Sequence, residues 1–555
     1  MSRFNLLEEN WIRVLEEGEM KEVSLITLFE NAEKYRCLAG EMATQDFAML
    51  RFLLAVLHTV FSRVNADGEA YDFLEIDEKF QQKEAVSEDD EEEYNDALME
   101  TWKTLWQRGK FPSVVRKYLE AWKDHFYLLD EKYPFYQVTK EEIDSRLKKN
   151  KNPGSVAGKK LNRTISESGN KVALFSPKGE EYKSKMSESE FLRWLIMLQG
   201  YFGISDKVKF DEEYKASIGW QYGLGGIFVT GQNLFETLMF NFKIIVSSVG
   251  EKVPIQNPCW ENSGKENINK SFSGLEDNLA GLYTNWSRAI LVNSKDIDFS
   301  EDLTIKVVKL PLLDPTMIQI EPMTLWKYVK EGENKNHFIP KKHEQGQALW
   351  KSFGIITIPS GIEGEHKEPG VIEWLERIQI YNDNKFIRIN AVALQYDSNP
   401  KSRMPINEMI DDLALHEIVL FEKGKEGWVM RIKELVEDTK EVVGFIYKGF
   451  LKDVYDIRNK KKSVEEELEQ AYFGLDKAFR DWLSGIDESS SKEDKIKEWK
   501  ELLFFSMKER ALEKVNECRQ RDIKGVYEEN AKGIKNIFTA YEYFLIRLKK
   551  KLNQE

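Results

Sequence analysis

The sequence predicts an α+β protein, with a large mixed α/β domain over residues 1–421 followed by a four-helix bundle over 422–555. Three observations predict it. The chain has 555 residues, beyond the size at which a single hydrophobic core keeps growing. Up to about Glu422, short strand-like runs mix with helical patterns. Beyond that point the strand-like alternation disappears and long amphipathic patterns follow one another.

In the first domain, Trp11 to Val14 reads as extended. Phe47 to Phe61 reads as a buried helix, with Thr44 as its N-cap and Asp46 favouring the positive helix end. Arg51 and His58 interrupt that apolar run, and it falls short of the ~20 residues a membrane span requires. Asn150 to Gly158 reads as a flexible loop from its Gly, Pro and polar content. Ser187-x-x-Glu190 has the form of a capping box for a helix over Phe191 to Gln199, stopped by Gly200 and Gly203. Gly226 to Gly231 and Gly354 to Ile358 read as extended.

The predicted bundle begins with a helical pattern over Trp428 to Tyr455. Ser463-x-x-Glu466 precedes a second stripe of Leu468, Tyr472, Leu475, Phe479 and Leu483, which ends at Gly485. Ser490-x-x-Glu493 precedes a third, of Ile496, Trp499, Leu503, Met507 and Ala511. A fourth runs from about Ile534 through Ile537, Phe538, Tyr541, Leu545 and Leu548. Four such helices joined by short or moderate loops favour a bundle. No solenoid-type repeat is evident.

Composition narrows the class. Cys37, Cys259 and Cys518 are far apart, which argues against a disulfide framework or a cysteine zinc site and fits a reducing, cytoplasmic compartment. The first residues lack a secretory pattern, and a soluble protein is expected. Net charge is −14, which argues mildly against nucleic acid, but the charge is uneven. Glu88 to Glu93 is acidic, whereas Arg146 to Lys185 is rich in Lys and Arg, opposed within the segment by Glu167, Glu180 and Glu181. Screening over ~8–10 Å lets such a segment meet phosphates locally.

Catalytic signatures are sparse. No phosphate loop is present, and Gly219 to Gly231 misses the dinucleotide fingerprint because Phe228 stands at the last required glycine. The six histidines form no helical i, i+4 pair. Asp411-Asp412 are candidate nuclease carboxylates, but adjacent residues on a helix point apart. No catalytic residue, cofactor or metal site is expected.

The succession of motifs carries more. Phe4-Asn-Leu-Leu-Glu-Glu-Asn-Trp-Ile-Arg-Val opens the chain, then Leu38-Ala-Gly-Glu-Met-Ala-Thr-Gln-Asp-Phe. Tyr133-Pro-Phe-Tyr-Gln-Val, Gly226-Ile-Phe-Val-Thr-Gly-Gln-Asn-Leu-Phe and Pro258-Cys-Trp-Glu follow in order. Gly281-Leu-Tyr-Thr-Asn-Trp-Ser-Arg, Glu321-Pro-Met-Thr-Leu-Trp and Leu394-Gln-Tyr-Asp-Ser-Asn complete the set. This order resembles the CasA family, the large subunits of the type I-E CRISPR Cascade surveillance complex. The resemblance implies a non-catalytic subunit that reads a short protospacer-adjacent motif (PAM) in double-stranded DNA. It also implies help in opening the duplex for guide RNA pairing. Implied partners are the small, backbone and guide-end-binding subunits, the CRISPR guide RNA, target DNA and a separate helicase-nuclease, with no membrane.

Residues carry over one at a time. The family's duplex-opening wedge maps onto Ser398, Asn399, Pro400 and Lys401, with Pro400 where the family has glutamine. The loop for the guide end and PAM-proximal duplex maps onto Phe175 and Ser176. Near Gly203 the family's further glycines are missing, and Lys207 and Lys209 are candidates for phosphate contact instead. The family's minor-groove lysine aligns with Pro322, leaving Lys327, or Lys330, as the displaced candidate. Two other classes stay open: a metal-dependent nuclease using Asp411, Asp412 and a histidine, and a structural ribonucleoprotein scaffold.

Overall fold

Every side chain from Phe47 to Phe61 is buried, so the helix Ala43–Phe61 has no solvent face. A helix apolar on all sides belongs at the centre of a core. In the computed structural model, which describes residues 4–167, 171–173, 175–204, 206–210, 213–292, 297–360, 366–378, 386–399, 403–460, 463–528 and 533–553, this helix is that centre. Its start differs from expectation. Met42 is the N-cap and Thr44 lies inside the first turn. The Thr44 amide and hydroxyl donate to Glu408 Oε1 at 2.7 and 2.6 Å, so a carboxylate from a distant strand takes over the capping role. Arg51 is tolerated because Glu321 accepts from both of its terminal nitrogens, at 2.7 and 2.8 Å.

The chain divides into two compact units. The first comprises Met1–His343, Pro369–Tyr381 and Ile389–Ile410, and the second Glu344–Glu368, Asn382–Arg388 and Asp411–Glu555. The last division therefore falls at 410/411, where 421/422 was expected, and shorter earlier segments join the C-terminal unit.

In the first unit, β1 (Ile12–Glu16) and β2 (Glu19–Val23) form a hairpin, with β3 (Cys37–Leu38) on the far side of β1. Its two-residue turn, Glu17 and Gly18, has φ of 50° and 85°, the left-handed pair that matches strand twist. β4 (Gly154–Ala157) pairs antiparallel with β7 (Thr304–Lys309), which pairs with β6 (Arg288–Leu291). Part of the loop expected over 150–158 is thus a strand, because β7 supplies the ladder partner that local composition does not reveal. β5 (Gly226–Thr230) borders the hairpin strands β10 (Phe386–Tyr396) and β11 (Pro405–His416), in the order β11-β10-β5. β8 (Leu325–Tyr328) and β9 (Phe338–Lys341) make a two-stranded ribbon. The helix Glu188–Gly200 runs one residue past Gln199, through Gly200, to a cap at Tyr201.

The second unit holds four long helical runs among its described residues. Trp428–Glu441 continues through a π-helical turn, Val442–Tyr447, into Lys448–Ile457, and Glu465–Ser484, Lys492–Asn516 and Ile537–Leu552 follow. Aromatic rings fill the space between them: Phe479 lies 4.5 Å from Trp350 and 4.9 Å from Trp499, and Phe450 lies 5.2 Å from Phe544.

Several local expectations shift here. Gly354 to Ile358, expected to be extended, is mostly a short helix, Phe353–Thr357, whose Phe353 and Ile356 are buried at helical spacing. Ser463 receives the Glu465 amide but stands outside the helix, whose N-cap is Val464. Ser491, one residue after the expected serine, caps the third run by accepting from the Asp494 amide. Ile534 lies in β13 (Gly533–Lys535), paired with β12 (Val526–Glu528). Asn536 then fixes the start of the last helix and turns Ile537, Ala540, Phe544, Leu548 and Leu552 inward, leaving Phe538 46% exposed.

Candidate nucleic-acid interface

The β10–β11 hairpin rests on a tyrosine. Tyr396 ends β10, its hydroxyl donates to the Tyr201 carbonyl, and its ring stacks on Tyr222 at 4.7 Å between centroids. A methyl group on Gly203 would lie 2.0 Å from Tyr396 Cε2, so only glycine lets the tyrosine come this close. Lys342 places its ammonium 3.1 Å from the Tyr222 ring centre. Burial pulls the Lys342 ammonium down to about 8 and pushes the Tyr396 phenol up to about 12.

Above this base the two arms are cross-linked. The Asp397 amide donates to the Met404 carbonyl at 2.9 Å, and the Arg403 amide to the Asn399 carbonyl at 3.1 Å. Asp397 Oδ1 receives the Asn399 amide at 2.8 Å, the side-chain turn that Asp provides so readily. Ser398 and Asn399 are exposed. Pro400 and Lys401, the other two expected wedge residues, lie outside the described residues. Beneath the hairpin, Arg163 is buried and donates to the carbonyls of Lys160 and Arg403 at 2.8 and 2.9 Å.

A second segment meets the hairpin at its tip. Lys171 Nζ lies 2.6 Å from Asp397 Oδ2, which ties the strand of chain before Phe175 to the turn before Asn399. Phe175 is 94% exposed and Ser176 half-buried, with its hydroxyl accepting from the Lys178 amide at 3.3 Å. A phenylalanine this exposed is not a core residue. The basic run around it is better neutralised than its own sequence implies. Lys159 and Lys183 share Glu167, Lys178 pairs with Glu190, and Asp397 takes Lys171. Glu190, occupied by Lys178 and Asn162, does not close the expected capping box, although Ser187 does accept from the Glu190 amide.

Next to Gly203, Asp206 binds Arg288 through both oxygens, at 3.0 and 3.1 Å, and lies 3.6 Å from Lys309. Lys207 is exposed. Lys209 is tied back, donating to the Tyr214 carbonyl at 2.8 Å. Lys327 is exposed on β8, opposite Ile339. The ribbon's contribution to the hairpin base is instead Lys342, just beyond β9, which sequence reasoning missed. The Lys341-Lys342 pair at a strand end carries no chemical signature of its own.

The structure thus ties Lys171 to Asp397, one residue before Ser398, and brings Gly203 against the Tyr396 ring. Asp411 and Asp412 lie on a strand where a helix was expected. Asp411 accepts from the Leu349 amide at 2.6 Å and from Arg480 at 2.7 Å, and Asp412 pairs with Arg388 at 2.5 Å.

The fold of the chain is that of the solved Cse1 chains. Thermobifida fusca Cse1 superposes with a TM-score of 0.77 at 22% identity, covering 99% of this chain and 98% of that one. A chain of a CRISPR RNA-guided surveillance complex gives 0.68 at 13% identity, covering 98% and 99%. The CRISPR-associated protein CasA/Cse1 of Thermus thermophilus is 24% identical over 253 residues, which is 43% of this chain and 40% of that relative's length. The chain belongs to the CRISPR-associated protein Cse1 family, whose model matches residues 5–508. Among the described residues no helix is long and apolar enough to cross a membrane.

Proposed function

We propose that the chain is a non-catalytic, cytoplasmic large subunit of a type I-E surveillance complex, assembled with its small, backbone and guide-end-binding subunits and a CRISPR guide RNA. It reads a short PAM in duplex DNA, opens the first base pairs beside it, and offers a landing surface to a helicase-nuclease. PAM and guide-end contact falls to the mixed α/β unit, which ends at Ile410, and the helical bundle to the unit that holds Asp411–Glu555. The Lys171–Asp397 ion pair is the observation that carries this reading, because it ties a segment four residues before the exposed Phe175 to the turn that precedes the exposed Asn399. A rigidly based turn can enter between base pairs, where unstacking costs a few kcal/mol and new contacts offset it.

In this reading Ser398, Asn399, Pro400 and Lys401 form the wedge, and Phe175 and Ser176 meet the guide end and PAM-proximal duplex. Lys207, Lys209 and Lys327 contribute phosphate or groove contacts, Lys209 the least because its ammonium is engaged. Replacing Asn399 and Pro400 together is expected to reduce permanganate reactivity of target thymines while leaving assembly with guide RNA intact. Unchanged reactivity removes the wedge assignment. A nuclease reading is disfavoured by the arginine partners of Asp411 and Asp412. Incubating the chain with DNA and Mg2+ or Mn2+ separates the two, and no cleavage is expected. A scaffold would show no preference among PAM sequences in a gel shift of the assembled complex.

A further inference from the structure

In the second unit, the first and last long helical runs meet along a seam that reaches solvent. Phe445, in the π-helical turn, and Tyr543, on the last helix, expose 61% and 59% of their surface. Arg547, one turn beyond Tyr543, serves both rings. Its guanidinium carbon lies 4.8 Å from the centre of the Phe445 ring and 5.5 Å from that of Tyr543. Its Nη1 also stands 3.8 Å from the place a Cβ on Gly449 would take, so the guanidinium lies against both helices. π-Helical turns are rare and recur at functional sites.

Ion pairing around the seam leaves Arg547 out. Lys551 takes Asp438 and Glu441, Lys448 takes Glu465, and Lys535 takes Asp453. Arg547 has no hydrogen bond or ion pair among the described residues, so its N–H donors are unspent there. Glu542 stands five residues before it, on another side of the helix. Lys550, three residues after it, is exposed and likewise unpaired among the described residues. Gln554 and Glu555 lie outside the described residues.

An arginine held against aromatic faces with its donors unspent suits a ligand that brings anionic oxygens and flat apolar faces together. We propose that this seam binds single-stranded DNA, with bases stacked on Phe445 and Tyr543 and a phosphate on Arg547 and Lys550. A docked protein would put the rings at an interface core, where lysine is depleted. A duplex keeps its base faces stacked on one another, whereas a single strand offers free base faces and phosphates at once. The strand is the displaced one, because guide pairing at an opened target leaves that strand alone without a partner. This last step rests on the function proposed above, whereas the affinity for single strands does not.

The test has two arms. In the first, the full chain is titrated with fluorescent oligothymidylate across salt concentrations and read by anisotropy. Arg547→Gln is expected to weaken binding and to reduce the log–log salt slope by about 0.7. Tyr543→Ala and Phe445→Ala should each cost roughly 5- to 150-fold, and Tyr543→Phe should keep wild-type affinity. No binding by the wild type, or equal affinity and slope in Arg547→Gln, overturns the site. Polyglutamate competing as well as unlabelled strand also overturns it, in favour of an acidic protein partner. Glu555→Gln should bind like the wild type, and a gain in affinity as large as the Arg547→Gln loss would mean that the terminal segment already occupies the arginine. In the second arm, the assembled complex opens a target whose displaced strand carries 5-iodouracil, and ultraviolet cross-links are mapped by mass spectrometry. Adducts on Tyr543 or Phe445 are expected. Their absence from an opened target overturns the choice of strand, as do adducts formed only when the halogenated base sits in the guide RNA. A target that the wild type fails to open counts against the proposed function instead, and the first arm still decides the seam.

Discussion

Arg51 and Arg163 are both buried in the first unit, yet their surroundings differ in kind. Arg51 meets the Glu321 carboxylate at 2.7 and 2.8 Å, and Glu321 also receives the Trp220 indole and the Met323 amide. Burial pulls the Arg51 guanidinium down, but Glu321 more than offsets it and leaves it above its ordinary value. Arg163 has two carbonyls and the side chain of Tyr396, whose ring lies 5.2 Å away, but no carboxylate partner among the described residues, and burial holds it below its ordinary value. Charge is closed off around the central helix and left open under the hairpin. A core has every reason to satisfy its charges internally, whereas a surface that meets phosphates keeps some in reserve.

The sharpest way to break that contrast is at Glu321. Glu321→Ala strands Arg51 in the core without a counter-charge, and stability should fall by about 3–5 kcal/mol, measured by urea unfolding. A loss below about 1 kcal/mol would mean that the central pair is no more closed than the hairpin foot. Gly203→Ala comes next. Its new methyl would press on Tyr396 at 2.0 Å, so the hairpin base must shift, at an overpacking cost of about 1–3 kcal/mol. Duplex opening should fall further than that loss of stability explains. A variant as stable and active as the wild type would show that the Tyr396–Tyr222 stack does not hold the hairpin in place.

These two sites also show what the sequence made legible. The all-apolar run from Phe47 to Phe61 announces a central helix, because burial on every side leaves no polar stripe to interrupt. The helical stripes of the C-terminal unit read nearly as well, with Trp499, Leu503, Met507 and Ala511 all buried. Failures came where a distant partner decides. Glu408 replaces Thr44's own capping, Glu190 leaves its helix start for Lys178, and β7 turns part of a Gly- and Pro-containing loop into a strand. At the candidate site, the ordered motifs pointed to Phe175 and Asn399. Nothing in their spacing indicated Lys171–Asp397, the Lys342 cation over Tyr222, or the Asp206 carboxylate beside Arg288 and Lys309. Each joins residues far apart in the chain through side chains that have no local signature.

Phe175 offers the smallest change in stability and the cleanest separation of the two regions. With 94% of its surface in solvent, Phe175→Ala removes almost no packing, and the free energy of urea unfolding should change by no more than about 0.5 kcal/mol. An exposed ring beside a basic segment can still stack on an unpaired base, a contact worth about 1–3 kcal/mol by alanine substitution. Assembly on the guide, or affinity for the PAM-proximal duplex, should then fall roughly 5- to 150-fold while the protein stays as folded as before. A fall in stability that accounts for the lost affinity would make Phe175 a packing residue after all. It would return the loop it stands on to the closed side of the comparison.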